Sequence, residues 1–360
     1  MEIKFHIIKC TLSRIYFFSQ KIYTKGLILF HISLIGGHLV AQDQTYNYVP
    51  QTIAFGSCND TKKDQSIWRV IDETQKDLWI WLGDNIYWSG KDLTELETLY
   101  NDQKSNPFYI NIERTTEVVG IWDDHDYGRN DDGISNPLKV ESKNLYMDFF
   151  KIPTTHPMRK RNGIYHSIGY KNDSFQLLIV LLDTRSFKPD YIKDNESISR
   201  YKVDKTGDIL GQEQWNWLEE NLKNASQYNA VIFCLWIQFI SSEHPFEKWQ
   251  NYPKSKSKLI SLLNFYDIRN PIFLTGDRHI AEISKLAINN KTNLYDFTSS
   301  GLTHSYDNYN GEENKSRISP VISDKNFGII SFNFNFKSYE LHIKNIKGKS
   351  VYKIKNTLND

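Results

Sequence analysis

Six apolar runs along the chain each end in a short cluster of reactive side chains. The runs with their clusters cover residues 53–59, 81–87, 120–126, 182–185, 235–238 and 274–279. Short β-rich runs alternate with helical segments, which is typical of layered α/β proteins. Because parallel strands of one sheet present their carboxyl ends at the same edge, we expect all six clusters to meet in one cleft.

The order of apolar and polar residues predicts the secondary structure. Strands are predicted over residues 52–56, 78–82, 118–122, 175–182, 230–237 and 271–275, and later over residues 295–299, 328–334, 338–346 and 351–354. Helices are predicted over residues 65–75, 94–104, 142–150, 212–222 and 256–265, and a capping-box pair of Thr94 and Glu97 begins the second. Residues 306–324 are predicted as a surface loop. Since no linker, repeat or low-complexity block interrupts residues 42–360, they are predicted to form one domain.

The first 41 residues differ in kind from the rest of the chain. Residues 1–25 carry five basic side chains and one acid, and an apolar stretch that ends in Ala41 follows before the polar Gln42. This pattern predicts a secretory signal over residues 1–41, and therefore a periplasmic, outer-surface or secreted protein with no membrane span after cleavage. A buried N-terminal helix or a membrane anchor is the alternative.

The composition limits the class of partner. With 44 basic and 43 acidic side chains the net charge is +1, and this balance argues against a stable nucleic-acid partner, which would require a basic face. Three cysteines cannot build a disulfide scaffold. The apolar fraction of 39% and the charged fraction of 24% are those of an ordinary globular chain.

The chemistry of the six clusters indicates metal. They contain a thiol, several carboxylates, two imidazoles, a phenol and two arginines, and carboxylates at this density repel one another unless cations hold them together. A thiolate and a phenolate favour trivalent iron at one position, whereas carboxylate, amide and imidazole ligands accept calcium, manganese, zinc or magnesium at another. Two metals that share a carboxylate form the usual clamp for displacement at phosphorus.

Several of these clusters also resemble the motifs of one protein family. The sequence reads Phe-Gly-Ser-Cys at 55–58, Gly-Asp-Asn-Ile-Tyr at 83–87, Trp-Asp-Asp-His-Asp-Tyr-Gly-Arg-Asn-Asp at 122–131 and Gly-Asp-Arg-His at 276–279. In these motifs the chain resembles the alkaline phosphatase D (PhoD-like) family of the calcineurin-like metallophosphoesterase superfamily. The resemblance implies an α/β fold, a four-layer sandwich of two mixed β-sheets flanked by helices.

The same resemblance implies an activity and a cofactor. The expected protein is a secreted, metal-dependent phosphatase or phosphodiesterase that hydrolyses small phosphate esters with a metal-activated hydroxide. Its binuclear centre would hold Fe³⁺ and Ca²⁺, or Zn²⁺, Mn²⁺ or Mg²⁺ in place of calcium at the second position. Against the family pattern, the chain is expected to lack an N-terminal β-sandwich and a C-terminal helix over the site, which predicts an open cleft. The resemblance does not fix the oligomeric state.

The resemblance also assigns roles to individual residues. The implied metal ligands are Cys58, Asp84, Tyr87, Asp124, Asp277 and His279. Cys58, Tyr87 and His279 would hold the first ion and Asp84 would bridge both ions. The second ion would lie on Asp124 and Asp277, with Gln238 as a further ligand or a neighbour of one.

Three other residues are expected to act on the phosphate. His125 would steady it or protonate the leaving group, and Arg185 or Arg129 would neutralise its charge. The residues themselves leave alternatives open, because Cys58 could be a buried core thiol and Arg185 could pair only with Asp183. The competing functions are a non-catalytic extracellular metal-binding protein of the same fold, and a redox metalloprotein that uses iron on Cys58 and Tyr87.

Overall fold

Two β-sheets form the centre of the protein, whose computed structural model describes residues 43–359. In chain order the strands are β1 (Gln44–Tyr46), β2 (Thr52–Gly56), β3 (Leu78–Leu82), β4 (Glu117–Ile121), β5 (His166–Lys171), β6 (Gln176–Leu181), β7 (Ala230–Cys234), β8 (Pro271–Thr275), β9 (Ala281–Ala287), β10 (Asn293–Ser299), β11 (Asn326–Asn333), β12 (Ser338–Asn345) and β13 (Ser350–Thr357). The prediction of a signal peptide over residues 1–41 lies outside the described residues.

Both sheets are mixed. The larger has the order β1-β5-β6-β7-β8-β10-β9, and the smaller has the order β13-β12-β11-β2-β3-β4. Strands β6, β7, β8 and β10 run parallel in the first sheet, and β2, β3 and β4 run parallel in the second. Strands β3, β6, β7 and β8 are almost entirely apolar because they are buried on both faces. The prediction of an α/β fold with two mixed sheets flanked by helices is confirmed.

Seven α-helices are present within residues 43–359. They are α1 (Ile67–Glu73), α2 (Leu93–Ser105), α3 (Pro107–Thr115), α4 (Asp124–Tyr127), α5 (Lys139–Phe149), α6 (Gly211–Leu222) and α7 (Pro253–Phe265). Short 3-10 turns occupy Pro157–Lys160, Ala225–Gln227 and Trp249–Asn251. None of the helices in this part of the chain has the length and apolar character needed to cross a lipid bilayer.

The predicted capping box at Thr94 and Glu97 is wrong. Helix α2 begins one residue earlier, at Leu93, and the side chain of Asp92 accepts a hydrogen bond of 2.9 Å from the Thr94 amide. A carboxylate at this position accepts a hydrogen bond from a free amide of the first turn and interacts favourably with the positive end of the helix dipole. Helices α3 and α4 and strands β1, β5 and β9 were not predicted, because their apolar patterns are short or interrupted.

The expectation that all six clusters lie on one sheet edge is also wrong. The first three follow β2, β3 and β4 of the smaller sheet, and the last three follow β6, β7 and β8 of the larger one. The sheets pack against each other, as the edge-to-face contact of Phe55 on β2 with Phe297 on β10 shows, with ring centroids 4.9 Å apart. The two sets of strand ends therefore meet across the junction of the sheets.

The turn after β3 depends on Gly83. Its φ of +90° lies in the left-handed region, and a Cβ atom there would lie 2.7 Å from both Asp123 Cβ and Trp236 Cε3. Gly311 has a φ of +89° but open space around it, so Gly311→Ala carries only the backbone cost, about 1 kcal/mol. We expect Gly83→Ala to lower the free energy of unfolding by about 1–3 kcal/mol more than Gly311→Ala. Urea denaturation of both variants measures the difference, and equal midpoints would contradict the steric argument.

Candidate active site

Strained backbone marks the ends of three strands. Cys58 after β2, Asp84 after β3, and Asp277 and His279 after β8 have φ angles of +63°, +46°, +69° and +55°. Non-glycine residues rarely adopt this region, and such strain concentrates where side chains must be aimed for function. Four of the six predicted metal ligands therefore have a left-handed backbone conformation, a feature that cannot be read from the amino-acid sequence.

A first group of ligand atoms joins the two sheets. Atoms of Cys58, Asp84 and His279 all lie within 4.8 Å of one another, and the Cys58 sulfur is 3.6 Å from Asp84 Oδ2 and 3.1 Å from Ser300 Oγ. The Tyr87 hydroxyl is 3.0 Å from His279 Nε2. Burial, and then the Asp84 carboxylate, raises the pKa of the Cys58 thiol well above its usual value. A thiolate here would therefore need a cation beside it.

A second group shares Asp84 with the first. Atoms of Asp84, Asp124 and His125 also lie within 4.8 Å of one another, and Asp124 Oδ2 accepts a hydrogen bond of 2.7 Å from the Asp131 amide. Burial raises the pKa of Asp84 to about 8, and the nearby Asp124 adds to this shift. Two largely buried carboxylates held this close fit a bound cation.

Asp277 completes the set of acids. Its Oδ2 atom is buried and has no hydrogen-bond partner among residues 43–359. Burial, followed by the charge of Glu247, raises the pKa of Asp277 well above its usual range. Asp277 lines the same cleft as Asp84, Asp124 and His279, and an orphaned carboxylate oxygen there is a further donor that fits the predicted pair of metal ions.

His125 lies against the first-ion residues. Its ring stacks on Tyr87 with centroids 4.3 Å apart, and its Nδ1 is 3.4 Å from the Trp88 carbonyl oxygen. Burial lowers the pKa of His125, but the charges of Asp124 and Asp84 outweigh that effect and raise it to about 9. An imidazole held in this way can carry a proton at Nε2.

Neither of the arginines expected to face the phosphate lines the cleft. Arg185 is fully buried, where its Nε donates to Asp123 Oδ1 at 2.6 Å and its Nη1 donates to Glu247 Oε2 at 3.1 Å. Arg129 has a side chain 60% exposed and points toward Asp132, 3.9 Å away. The strand-end position of Arg185 places it beneath the carboxylates, where it offsets their charge.

Gln238 is likewise turned away from the cleft. Its Nε2 donates to Glu282 Oε1 at 2.7 Å and to Thr298 Oγ1 at 2.8 Å. Strand β7 ends at Cys234 and not at residue 237, so the chain has already left the strand when it reaches Gln238. The pairing of Asp183 with Arg185 runs through the backbone, since the Asp183 carboxylate accepts a hydrogen bond of 2.9 Å from the Arg185 amide.

The ligand groups open into a cleft of about 310 Å³. Its charged lining consists of Asp84, Asp124, His125, Asp131, Arg200, Glu247, Asp277, Arg278 and His279. Arg200, Asp131 and Glu247 were not predicted as site residues, because none directly follows an apolar run. The sequence signal that could have identified Arg278 as a cleft residue is its position between two predicted ligands, Asp277 and His279. The ring of His304 lies 4.4 Å from that of His279, beside the first-ion residues.

The chain is similar to known proteins in sequence and in fold. The sequence model of the PhoD-like phosphatase family matches residues 92–342. Alkaline phosphatase D of Bacillus subtilis (strain 168) is 24% identical over 286 residues, which cover 67% of this chain and 48% of that protein. The chain therefore spans about half the length of this curated relative.

Two solved structures share the fold. A structure of PhoD matches with a TM-score of 0.68 at 17% identity and covers 87% of this chain and 69% of its own. GAP50, the anchor in the inner membrane complex of Plasmodium, matches with a TM-score of 0.55 at 12% identity, covering 86% of this chain and 90% of its own. Similarity at these identities shows the fold alone.

Proposed function

The chain belongs to the PhoD-like phosphatase family, and from this premise we propose that it is a metal-dependent hydrolase of small phosphate esters, either monoesters or diesters. The observation that carries the proposal is that Asp84 belongs to two groups of ligand atoms. Within each group, the atoms lie within 4.8 Å of one another. A shared carboxylate between two such groups is the arrangement that clamps a phosphoryl group during in-line displacement.

We assign the ligands as the resemblance implies. Cys58, Tyr87 and His279 would hold the first ion, Asp84 both ions, and Asp124 with Asp277 the second. Bound there, the ions would supply Lewis acidity that lowers the pKa of a bound water and stabilises charge on a phosphoryl group. We propose Fe³⁺ for the first position, because of its thiol and phenol, and Ca²⁺ for the second.

The protein's own side chains supply position and a proton. With Nδ1 near the Trp88 carbonyl, His125 can hold a proton at Nε2 and deliver it to the departing alcohol. Arg185 acts as a positioning residue: it lies 3.9 Å from Asp124 Oδ2 and binds Asp123 and Glu247, so it fixes the acids beneath the cleft.

Export and domain organisation remain part of the proposal. The basic and apolar N-terminal pattern supports a signal peptide over residues 1–41, with residues 42–360 as the catalytic domain. The chemical completeness of the ligand set supports a hydrolase over a non-catalytic metal-binding protein or a redox protein.

A metal-removal experiment tests the function. We expect the purified protein to hydrolyse p-nitrophenyl phosphate or its bis-ester, to lose this turnover in EDTA, and to regain it when iron and calcium are returned. The iron form should show a visible absorption band from its thiolate and phenolate ligands.

The two described cysteines provide a matched pair of variants. Cys58 and Cys234 are both fully buried, so Cys58→Ala should remove or shift the visible band and Cys234→Ala should keep it. Absence of turnover with every added metal would refute the hydrolase and favour the binding protein. A band without turnover would favour the redox protein.

A further inference from the structure

We infer that the cleft contains an anion-binding subsite, formed by Arg200 and Arg278 against the ring of Phe246. This subsite would select phosphate esters whose leaving group carries a second anionic group. This inference rests on the proposed function, because it names the class of substrate that the same cleft would take. The second anion can be a carboxylate or a phosphate, since both accept hydrogen bonds from guanidinium groups.

Arg278 has an unused donor. Its side chain is 3% exposed, and its Nη2 pairs with the Glu312 carboxylate. The Nε atom is buried and has no hydrogen-bond partner within residues 43–359. A buried guanidinium donor without a partner is costly, and this cost falls when an anion binds in the cleft that Arg278 lines.

Arg200 presents a second, unpaired cation to the same cleft. Its guanidinium forms no ion pair with an acid in the described residues, and the side chain is exposed. Its backbone is held firmly, since the Arg200 amide donates to the Pro245 carbonyl at 2.8 Å and its carbonyl accepts from the Asp194 amide at 2.9 Å. These two hydrogen bonds fix the backbone from which the guanidinium extends into the cleft.

Phe246 orients both cations. The guanidinium carbons of Arg200 and Arg278 each lie 4.4 Å from the centroid of the Phe246 ring. Stacking on an aromatic ring occupies the face of a guanidinium and leaves its in-plane N–H groups free for an anion. Two cations held on one ring would repel each other, and a bound anion would relieve that repulsion.

Two acids of the cleft are already paired, Glu247 with Arg185 and Asp131 with the Tyr201 hydroxyl. Asp84, Asp124 and Asp277 are assigned to the metal ions, so the reacting phosphate belongs beside them. The arginines stand in the same cleft of about 310 Å³, within reach of the far end of a small leaving group. The arrangement predicts a preference for esters of anionic alcohols.

Binding of non-hydrolysable phosphonates tests the subsite without requiring turnover. Isothermal titration of the metal-loaded full chain would compare propylphosphonate, 3-phosphonopropionate and ethane-1,2-bisphosphonate, which differ in their second charged group. We expect at least one of the two doubly charged ligands to bind about tenfold more tightly than propylphosphonate. The tighter of the two would identify a carboxylate or a phosphate as the favoured anion.

Variants show whether Arg200 causes the preference. Arg200→Gln should reduce the tenfold difference to within about threefold, and Phe246→Leu should reduce it as well. Arg69→Gln is the control, because Arg69 is exposed on helix α1 and outside the cleft lining. Equal binding of all three phosphonates to the wild type, or a preference that survives Arg200→Gln, would overturn the inference. Hydrolysis of p-nitrophenyl phosphate by the same preparations reports on the proposed function separately.

Discussion

Asp84→Asn is expected to lower the turnover of p-nitrophenyl phosphate by about a thousandfold or more while the fold survives. Asp84 belongs to both groups of ligand atoms, so the loss of its charge weakens both metal positions together. Asparagine keeps the size of the side chain and tolerates the φ of +46° at this position. Steady-state turnover and elemental analysis of the purified variant measure the effect.

A second aspartate gives the matched control. Asp102 is exposed on helix α2 and does not line the cleft, so Asp102→Asn should keep wild-type turnover and metal content. If Asp84→Asn retained half of the turnover and a normal thermal transition, the bridging role of Asp84 would be refuted.

Arg185→Met is expected to lower the free energy of unfolding by about 3–5 kcal/mol. Arg185 is fully buried between Asp123 and Glu247, and methionine would leave both carboxylates buried without a cation. Leaving an uncompensated charge in a low-dielectric interior costs far more than losing an ion pair at the surface. Urea denaturation followed by tryptophan fluorescence measures the change.

The control is an ion pair that faces solvent. Glu220, near the end of helix α6, forms an ion pair with Lys223, the residue that follows the helix. Their side chains are 57% and 52% exposed, so Lys223→Met should leave the unfolding midpoint unchanged. If the unfolding midpoint of Arg185→Met also equalled that of the wild type, the buried acids would be neutralised by protonation and would not depend on Arg185.

The strands of the centre were readable from the sequence because they are buried on both faces. Leu78–Leu82 is apolar throughout, Pro271–Thr275 is apolar up to its last residue, and both coincide with the predictions. Helix α3 was missed because its signals lie in its cap: the Asn106 side chain accepts hydrogen bonds from Phe108 and Tyr109 amides, and Pro107 takes the first position.

The candidate site was predicted in its chemistry and less well in its arrangement. Cys58, Asp84 and His279 were selected because reactive side chains follow apolar runs, and the structure places their ligand atoms within 4.8 Å. Arg185 was selected by the same rule but lies under the acids and not at the cleft. Arg200 follows no strand, and Arg278 lies 78 positions further along the chain. No local sequence pattern could therefore have placed the two arginines in one cleft.

What the amino-acid sequence determined by itself was the identity of the strands and the reactive groups at their ends, because burial and the turn after a strand are local properties. Only the tertiary structure decided which of these ends belong to which sheet, since one apolar strand can pair equally well in either sheet. It also decided which arginine neutralises the acids and which faces the cleft. That choice depends on distances between side chains far apart in the chain, which the order of residues does not contain.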